Sequence, residues 1–142
     1  IHHIVNQLLN ENQVIVMEDL NVSGMMKNHK LSKSIQDVSF CELKQILQYK
    51  ASWNDKQIVF IDRFYPSSKL CYDCGYKNDS LQLSDREWVC PKCGVIHDRD
   101  INAAKNILEE GKRIIGLSSP EFKRVGEQAI ACSMNLEQNV KY

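Results

Sequence analysis

Two Cys-x-x-C pairs are the residues of this chain whose types and spacing most clearly specify chemistry. Cys71 and Cys74 form the first pair, and Cys90 and Cys93 form the second, with a glycine directly after each pair. A tight turn points both sulfurs of a pair to one side, and two facing pairs make a closed tetrahedral S₄ site of the kind that Zn²⁺ accepts. Because four protein ligands leave no open position, we predict a structural zinc ion and not one that activates water. Two disulfides or unrelated thiols are the alternatives.

Acidic motifs lie on both sides of these cysteines. Glu18 and Asp19 end a short apolar run, and Asp98-Arg99-Asp100 opens a helical pattern after the last cysteine. Carboxylates that converge from a strand end and a helix start can bind Mg²⁺ or Mn²⁺ through oxygen. Two such ions about 3.5–4 Å apart promote phosphodiester cleavage. The alternatives are a surface strand end for Glu18 and a helix cap for Asp100.

The elements that must position these motifs follow from the apolar pattern. It first predicts a helix over Ile1–Leu9, a buried strand at Val14–Met17 and a loop at 21–33. A second helix, opened by a Ser39/Glu42 capping box, is predicted to run to about Trp53, and a second strand follows at Ile58–Ile61. After the cysteine insert, a third helix is predicted from about Ile101, with a stop at Gly111. This alternation indicates the α/β fold class.

Composition narrows the class of protein. The 142 residues have a formal net charge of zero, so the chain lacks the overall basicity of a self-sufficient nucleic-acid binder. We find no apolar run long enough to span a bilayer and no signal peptide, and the cysteine usage suits a reducing cytosol. A locally basic stretch is either a solvated face or a strip that faces phosphates; its members are Lys27, Lys30, Lys33, Lys44, Lys50 and Lys56.

Three stretches around these motifs resemble the C-terminal half of the OrfB/TnpB-type transposon proteins. They are Val16–Val22, Asp62–Lys69 and Asp98–Ile107, and together with the four cysteines they follow the order and spacing of that family over about residues 4 to 111. Members of the family are RNA-guided DNA endonucleases related to the type V CRISPR effectors. The resemblance implies a partial RNase H-like (RuvC-type) fold, α/β in class, with an inserted Cys₄ zinc ribbon.

On this resemblance the chain divides into four parts. Residues 1–66 are expected to form a partial RuvC-like nuclease core, 67–97 the zinc-ribbon insertion, and 98–115 the last RuvC-like helix. Residues 116–142 form a tail in which the pattern leaves order and disorder open.

The resemblance also implies a metal-dependent site for DNA cleavage. Three acidic residues hold two Mg²⁺ or Mn²⁺ ions in the family; the middle one matches Glu18 and the last matches Asp100. The first lies on a central strand upstream of anything present here, so we expect an unpaired sheet edge and no efficient DNA cleavage by this piece alone. The expected partners are DNA and, in the intact protein, a guide RNA, and the expected location is the cytoplasm, at the nucleoid. Arg63, Lys69 and Arg99 are candidates for nucleic-acid contacts.

Other functions remain open at this point. One is a non-catalytic zinc-ribbon DNA-binding protein, such as a decayed transposase, and another is a zinc-stapled interaction module. Glu18 and Asp100 have no purpose in a pure ribbon and therefore favour descent from a nuclease. Aromatic residues beside the cysteines either cover the zinc module or stack on bases; these are Tyr72, Tyr76 and Trp88. His97 is predicted not to be a ligand, because four cysteines are available.

Overall fold

A computed structural model describes residues 1–20, 31–116 and 129–132. Its elements are α1 (His2–Glu11), β1 (Val14–Glu18), α2 (Leu31–Trp53), β2 (Gln57–Ile61), β3 (Glu87–Val89), β4 (Ile96–Asp98), α3 (Arg99–Ile114) and β5 (Ala129–Cys132). The predicted mixture of helices and strands is present, and the segment that carries the cysteines lies between β2 and α3.

Strand β1 is the centre of a three-stranded sheet with the order β2-β1-β5, and it is parallel to both neighbours. Alternate residues of β1 pack on opposite sides: Ile15 and Met17 join the apolar cluster of α1 and α2, whereas Val14 and Val16 pack in a second cluster with Ile107 of α3. Burial on both faces explains why the strand reads as an unbroken apolar run. Glu18 ends the strand, directly opposite Ile61 of β2.

The second edge of β1 is occupied by a strand that the sequence did not predict. Within the described residues, the outer edges of β2 and β5 have no strand partner. Residues Ala129–Cys132 form β5 and pair in parallel with Val14–Met17. This segment belongs to the predicted tail, where the apolar pattern gave no sign of a strand. Residues 117–128 and 133–142 of that tail lie outside the described residues.

Two predicted helix boundaries are wrong. Helix α2 begins at Leu31, so Ser39 and Glu42 lie inside it and do not form a capping box. A Ser-x-x-Glu pattern marks a helix start only where the chain enters from a non-helical conformation. Of the predicted loop, residues 31–33 are helical and 21–30 lie outside the described residues.

Helix α3 runs past Gly111 to Ile114, and the predicted stop at Gly111 is wrong for a reason of packing. A Cβ atom on Gly111 would come within 3.0 Å of the side chain of Val16, so this glycine allows the helix to approach the sheet. The residue with left-handed backbone is Gly116, at φ +69°, just beyond the helix end.

Candidate metal centre and acidic groove

Each Cys-x-x-C pair forms a turn closed by backbone hydrogen bonds. The amide of Gly75 donates to the carbonyl of Cys71 at 2.8 Å, and the amide of Gly94 donates to that of Cys90 at 2.9 Å. Both glycines have left-handed backbone, at φ +74° and +76°, which a residue with a Cβ adopts only with strain. The glycines after the pairs therefore let each turn close without strain.

The four cysteine sulfurs converge on one point. All lie within 4.8 Å of one another, and the Cys71–Cys93 and Cys74–Cys90 Sγ pairs are each 3.6 Å apart. A disulfide would bring two sulfurs to about 2.05 Å, and the four thiols are free, so the disulfide alternative is wrong. A tetrahedral ion with bonds of about 2.3 Å would separate its sulfur ligands by about 3.8 Å. The cluster can therefore hold a metal ion such as zinc.

The electrostatics of the sulfurs also call for a cation. Burial raises the pKa of the Cys71 thiol to about 12, although the backbone amides of Cys74 and Asp73 act against it. Burial acts to raise the pKa of Cys90 as well, but the backbone amides of Cys93 and Lys92 outweigh it and lower that pKa to about 7. A buried thiolate at Cys71 thus needs a positive partner, which a divalent ion at the cluster supplies.

His97, which the sequence predicted not to be a ligand, is a close neighbour of the cluster. Its ring is buried, and Nε2 lies 3.0 Å from Cys71 Sγ and 3.8 Å from Asp73 Oδ2. It lies outside the four-sulfur group, although His97, Cys71 and Asp73 form a second group close enough to hold an ion. The ring of Trp88 packs against His97 at 4.9 Å between centroids.

The aromatic residues around the cysteines differ in their exposure. Trp88 is buried and packs with Cys71 and Cys90, so it covers the cluster. Tyr72 and Tyr76 keep 41% and 38% of their surface exposed, and Lys105 Nζ lies 5.4 Å from the ring centre of Tyr72. The two tyrosines remain open to contact from outside.

Glu18 and Asp100 line one groove of about 460 Å³. Strand β1 brings Glu18 to it and the first turn of α3 brings Asp100, as the sequence predicted for carboxylates at a strand end and a helix start. Lys69 and Arg99 line the same groove. Arg63 instead forms an ion pair with Asp19, with 3.8 Å between Arg63 Nη2 and Asp19 Oδ2. The other lining residues include Ser67 and Ser68 and the segment 81–83 of the cysteine insert.

The carboxylate of Glu18 is held by a buried serine. Ser67 Oγ donates a hydrogen bond of 2.6 Å to Glu18 Oε1, and Ser67 keeps only 6% of its surface exposed. Sequence reasoning did not single out Ser67. Its position in the Pro66-Ser67-Ser68 turn was the available signal, but the turn alone does not say which side chain it faces.

Asp100 is not the cap of its helix. Asp98 is the N-cap, and its Oδ1 accepts hydrogen bonds of 3.0 Å from the amides of Asp100 and Ile101. The guanidinium of Arg99 lies 3.9 Å from Asp100 Oδ1 and also donates to the carbonyl of Leu83. Arg99 therefore joins the groove to the loop of the cysteine insert.

The neighbouring Asp19 takes part in a different interaction. A hydrogen bond and the charge of Lys44 hold the pKa of Asp19 below its usual value against a small opposing effect of burial, and Arg63 adds to the lowering. Lys44 Nζ lies 2.9 Å from Asp19 Oδ1. Two lysines of the basic stretch are engaged within the chain, because Lys50 donates to Asn6. Lys27 and Lys30 of that stretch lie outside the described residues, and the side chain of Lys33 is likewise not described.

The groove offers two carboxylates to a cation. Within residues 1–20 and 38–116, neither Glu18 nor Asp100 belongs to a group of three His, Cys, Asp or Glu side chains whose ligand atoms all lie within 4.8 Å. The oxygen donors suit Mg²⁺ or Mn²⁺, which favour carboxylates and water as ligands.

None of the helices in the described part of the chain is long and apolar enough to cross a membrane.

The sequence of this chain is similar to a known family model and to several known proteins. The family model described as Cas12f1-like, TNB domain, matches residues 40–107. A protein of Streptomyces pristinaespiralis, named as a proposed RNA-guided DNA endonuclease, is 48% identical over 111 residues, which cover 78% of this chain and 27% of that protein. A TnpB-like protein of Methanocaldococcus jannaschii is 29% identical over 123 residues, which cover 83% of this chain and 42% of that protein.

A solved structure shares the fold. One chain of the cryo-EM structure of the Cas12f1-sgRNA-target DNA complex matches with a TM-score of 0.54 and 21% identity, covering 74% of this chain and 30% of that chain. At this identity the likeness concerns the fold alone. The chain spans 27% and 42% of the two relatives above, so it corresponds to a part of each of them.

Proposed function

Because the chain belongs to the TnpB-type family, we propose that it forms the C-terminal part of a transposon-associated DNA endonuclease that is RNA-guided when intact. The observation that carries this proposal is the shared groove of Glu18 and Asp100. A zinc ribbon that only bound DNA would have no need for two carboxylates from different elements in one cleft. In this proposal the carboxylates of the groove take part in cleavage, and the cysteine cluster has a structural role.

We further propose that the parallel strands and α3 form part of an RNase H-like (RuvC-type) core with the ribbon inserted into it. In support, α3 packs on the face of β1 that carries Val14 and Val16, and Asp100 stands at its start. The ribbon leaves the core after β2 and returns at β4, directly before α3. Zn²⁺ at the four cysteines would join the two halves of the insert, which is a structural role.

The groove residues have distinct roles in cleavage of a phosphodiester. Glu18 and Asp100 would hold Mg²⁺ or Mn²⁺, an ion that activates water and stabilises the leaving oxygen when it is bound. The ammonium group of Lys69 would contact the phosphate as a point charge. Arg99 already donates to the carbonyl of Leu83, so its role would be to orient the groove wall as well as to offset phosphate charge.

The 142-residue chain alone is expected not to cut DNA efficiently. Two carboxylates provide too few oxygen ligands and too little negative charge for a two-ion site in fixed geometry. A supercoiled-plasmid nicking assay with Mg²⁺ tests this expectation. Robust nicking that disappears in both Glu18→Gln and Asp100→Asn would contradict the expected inactivity while supporting the nuclease chemistry.

The proposal that the groove binds a divalent cation is tested by measuring Mn²⁺ binding to the zinc-loaded chain with electron paramagnetic resonance. We expect Glu18→Gln and Asp100→Asn each to weaken binding at least tenfold, because each removes one charged ligand. Glu42→Gln serves as the control, since Glu42 lies exposed on α2 away from the groove. Binding that is the same in all three variants as in the parent chain would overturn the proposal and favour a non-catalytic zinc-ribbon DNA-binding protein.

A further inference from the structure

We propose that Ser67 is the positioning residue of Glu18, and that two buried asparagines of α3 tie Ser67 to the first cysteine turn. This inference rests on the proposed function, because it concerns the carboxylate that would bind the catalytic cation. It adds a coupling between the zinc cluster and the groove: the state of one is communicated to the other through hydrogen bonds.

The first step is the contact between Ser67 and Glu18. Glu18 is the last residue of β1, where no further strand residue restrains its side chain. The 2.6 Å hydrogen bond from the buried Ser67 hydroxyl restrains the orientation of the Glu18 carboxylate, and Glu18 lines the groove. Groups that orient a ligand in this way commonly change metal affinity 10–100-fold, as an order of magnitude.

The second step is the restraint on Ser67 itself. Asn106 Nδ2 donates to the carbonyls of Ser67 and Leu70, each at 2.8 Å. Asn106 keeps 5% of its surface exposed, so its amide has been removed from water to make these bonds. A side chain without two donors would leave those carbonyls without this support. Asn106 therefore holds the backbone that presents the Ser67 hydroxyl.

The third step reaches the metal cluster. Asn102 lies one helical turn before Asn106, on the same face of α3, and keeps 2% of its surface exposed. Its Nδ2 donates to the carbonyl of Leu70 at 2.6 Å, and its Oδ1 accepts from the amide of Tyr72 at 3.0 Å. These two backbone groups flank Cys71. Asn102 thus grips both sides of a cysteine of the cluster.

The resulting chain of contacts is continuous from sulfur to carboxylate. It runs from the backbone around Cys71 through Asn102 and Asn106 to Ser67 and then to Glu18. Asp100 lies two residues before Asn102 on α3, so the same helix carries one carboxylate and restrains the support of the other. Removal of zinc should therefore loosen Glu18, although Glu18 is not a ligand of that ion.

The first test replaces Ser67 in the full chain. Ser67→Ala should lower Mn²⁺ affinity 10–100-fold while zinc content stays at one ion per chain, and Ser67→Thr, which keeps the hydroxyl, should restore most of the affinity. Ser84→Ala is the matched control, because Ser84 is exposed and lies outside the groove. Equal Mn²⁺ affinity in Ser67→Ala and the parent chain would overturn the positioning role.

A second readout does not depend on Mn²⁺. Side-chain NMR couplings of Glu18 should report one rotamer in the zinc-loaded parent chain and rotamer averaging in Ser67→Ala, with the same averaging after zinc is removed from the parent. A single Glu18 rotamer in all three samples would overturn the proposal. If the parent chain bound no Mn²⁺, the proposed function would fail, whereas the rotamer measurement would still decide the present inference.

The asparagine step has its own test by amide hydrogen exchange. Asn102→Ala should abolish the slow exchange of the Tyr72 amide, and Asn102→Asp, which keeps the acceptor but loses the donor, should retain it in part. Asn54→Ala, in an exposed position at the end of α2, should have no effect. If the Tyr72 amide exchanges as slowly in Asn102→Ala as in the parent chain, the proposed contact of Asn102 is wrong. If Asn102→Ala leaves Glu18 in the single rotamer of the parent chain, the coupling between the cluster and Glu18 is wrong at this link.

Discussion

At the scale of single residues, His97 should stabilise the bound ion without being essential for it. Its Nε2 lies 3.0 Å from Cys71 Sγ, and the ring is fixed by packing on Trp88. A donor to a thiolate ligand offsets part of its charge and restricts its motion. We expect His97→Ala to speed zinc release to a chromophoric chelator about tenfold, within the range of about 10–100 for such neighbours.

The control for this prediction is His2→Ala, because His2 is exposed on α1, far along the chain from the cluster. Complete loss of zinc in His97→Ala would instead make His97 a ligand. A release rate equal to that of the parent chain would show that the contact with Cys71 contributes nothing to metal retention.

The residue scale also shows what a sequence can and cannot reveal about a site. The four cysteines were predictable because their ligand chemistry depends on spacing within each turn, which is local. Glu18 and Asp100 were predictable as groove residues because each ends or begins an element with a clear apolar pattern. The contacts that Ser67 and His97 make were not predictable, since their partners Glu18 and Cys71 are 49 and 26 positions away.

At the scale of elements, the close approach of α3 to β1 depends on Gly111. An alanine there would gain about 1 kcal/mol in helix propensity, but its Cβ would overlap the branched side chain of Val16 in a buried strand. Overpacking of this kind typically costs about 1–3 kcal/mol, so after the gain in helix propensity we expect Gly111→Ala to lower the free energy of unfolding by up to about 2 kcal/mol net. Urea denaturation of the zinc-loaded chain measures the change.

The double variant Gly111→Ala/Val16→Ala separates overlap from other effects. It removes both branches that the new Cβ would meet, so it should lose less stability than the sum of the two single variants. Additive losses would mean that Gly111 is needed for some reason other than its distance from Val16.

A second prediction at this scale concerns the link between β1 and α2. Lys44 of α2 hydrogen-bonds Asp19, just after β1, and lowers the pKa of that carboxyl. A carboxyl whose pKa is lower in the folded state stabilises the fold above its unfolded value of 3.8, and this contribution disappears as the pH falls through the folded value. Because Asp19 is 46% exposed, solvent screening limits the effect to about 0.5 kcal/mol.

The measurement compares urea unfolding of the parent chain with that of Asp19→Asn between about pH 6 and pH 2. The stability difference should be present at pH 6 and should shrink below the ordinary Asp value, while loss of zinc affects both proteins alike. Lys44→Met should show the same loss of pH dependence. A difference between parent and Asp19→Asn that stays constant over this range would contradict the prediction.

Elements differed in how far the sequence predicted them. Strands β1 and β2 were recognised because burial on both faces leaves a short unbroken apolar run. Strand β5 was missed, since Ala129–Cys132 is a four-residue segment whose partners in β1 are more than 110 residues away in the sequence. The start of α2 was missed because the Ser39/Glu42 pattern imitates a cap inside a helix. Pairing and helix extent of this kind depend on tertiary contacts that local pattern does not contain.

At the scale of the whole molecule, the apolar contacts of the residues that the structure describes form three separate clusters. One lies between the sheet and helices α1 and α2, and the second lies between the sheet and α3. The third, in the cysteine insert, has Cys71, Trp88 and Cys90 as its buried members, with Cys74 and Leu81 beside them. Three of these five residues are candidate metal ligands, so this cluster has little apolar surface of its own.

Metal removal should therefore unfold the insert and leave the layered core in place. Without an ion, the buried thiols and two side chains cannot offset the conformational entropy of about thirty ordered residues, whereas the two larger clusters contain none of the four cysteines. We expect chelation to abolish slow amide exchange in β3 and β4 while β1, β2 and the buried face of α2 remain protected. Readdition of Zn²⁺ should restore the pattern. Two outcomes would contradict this division. Protection in β3 and β4 that survives chelation would show that the insert is stable without metal. Loss of protection in all elements together would show that the chain unfolds as a single cooperative unit.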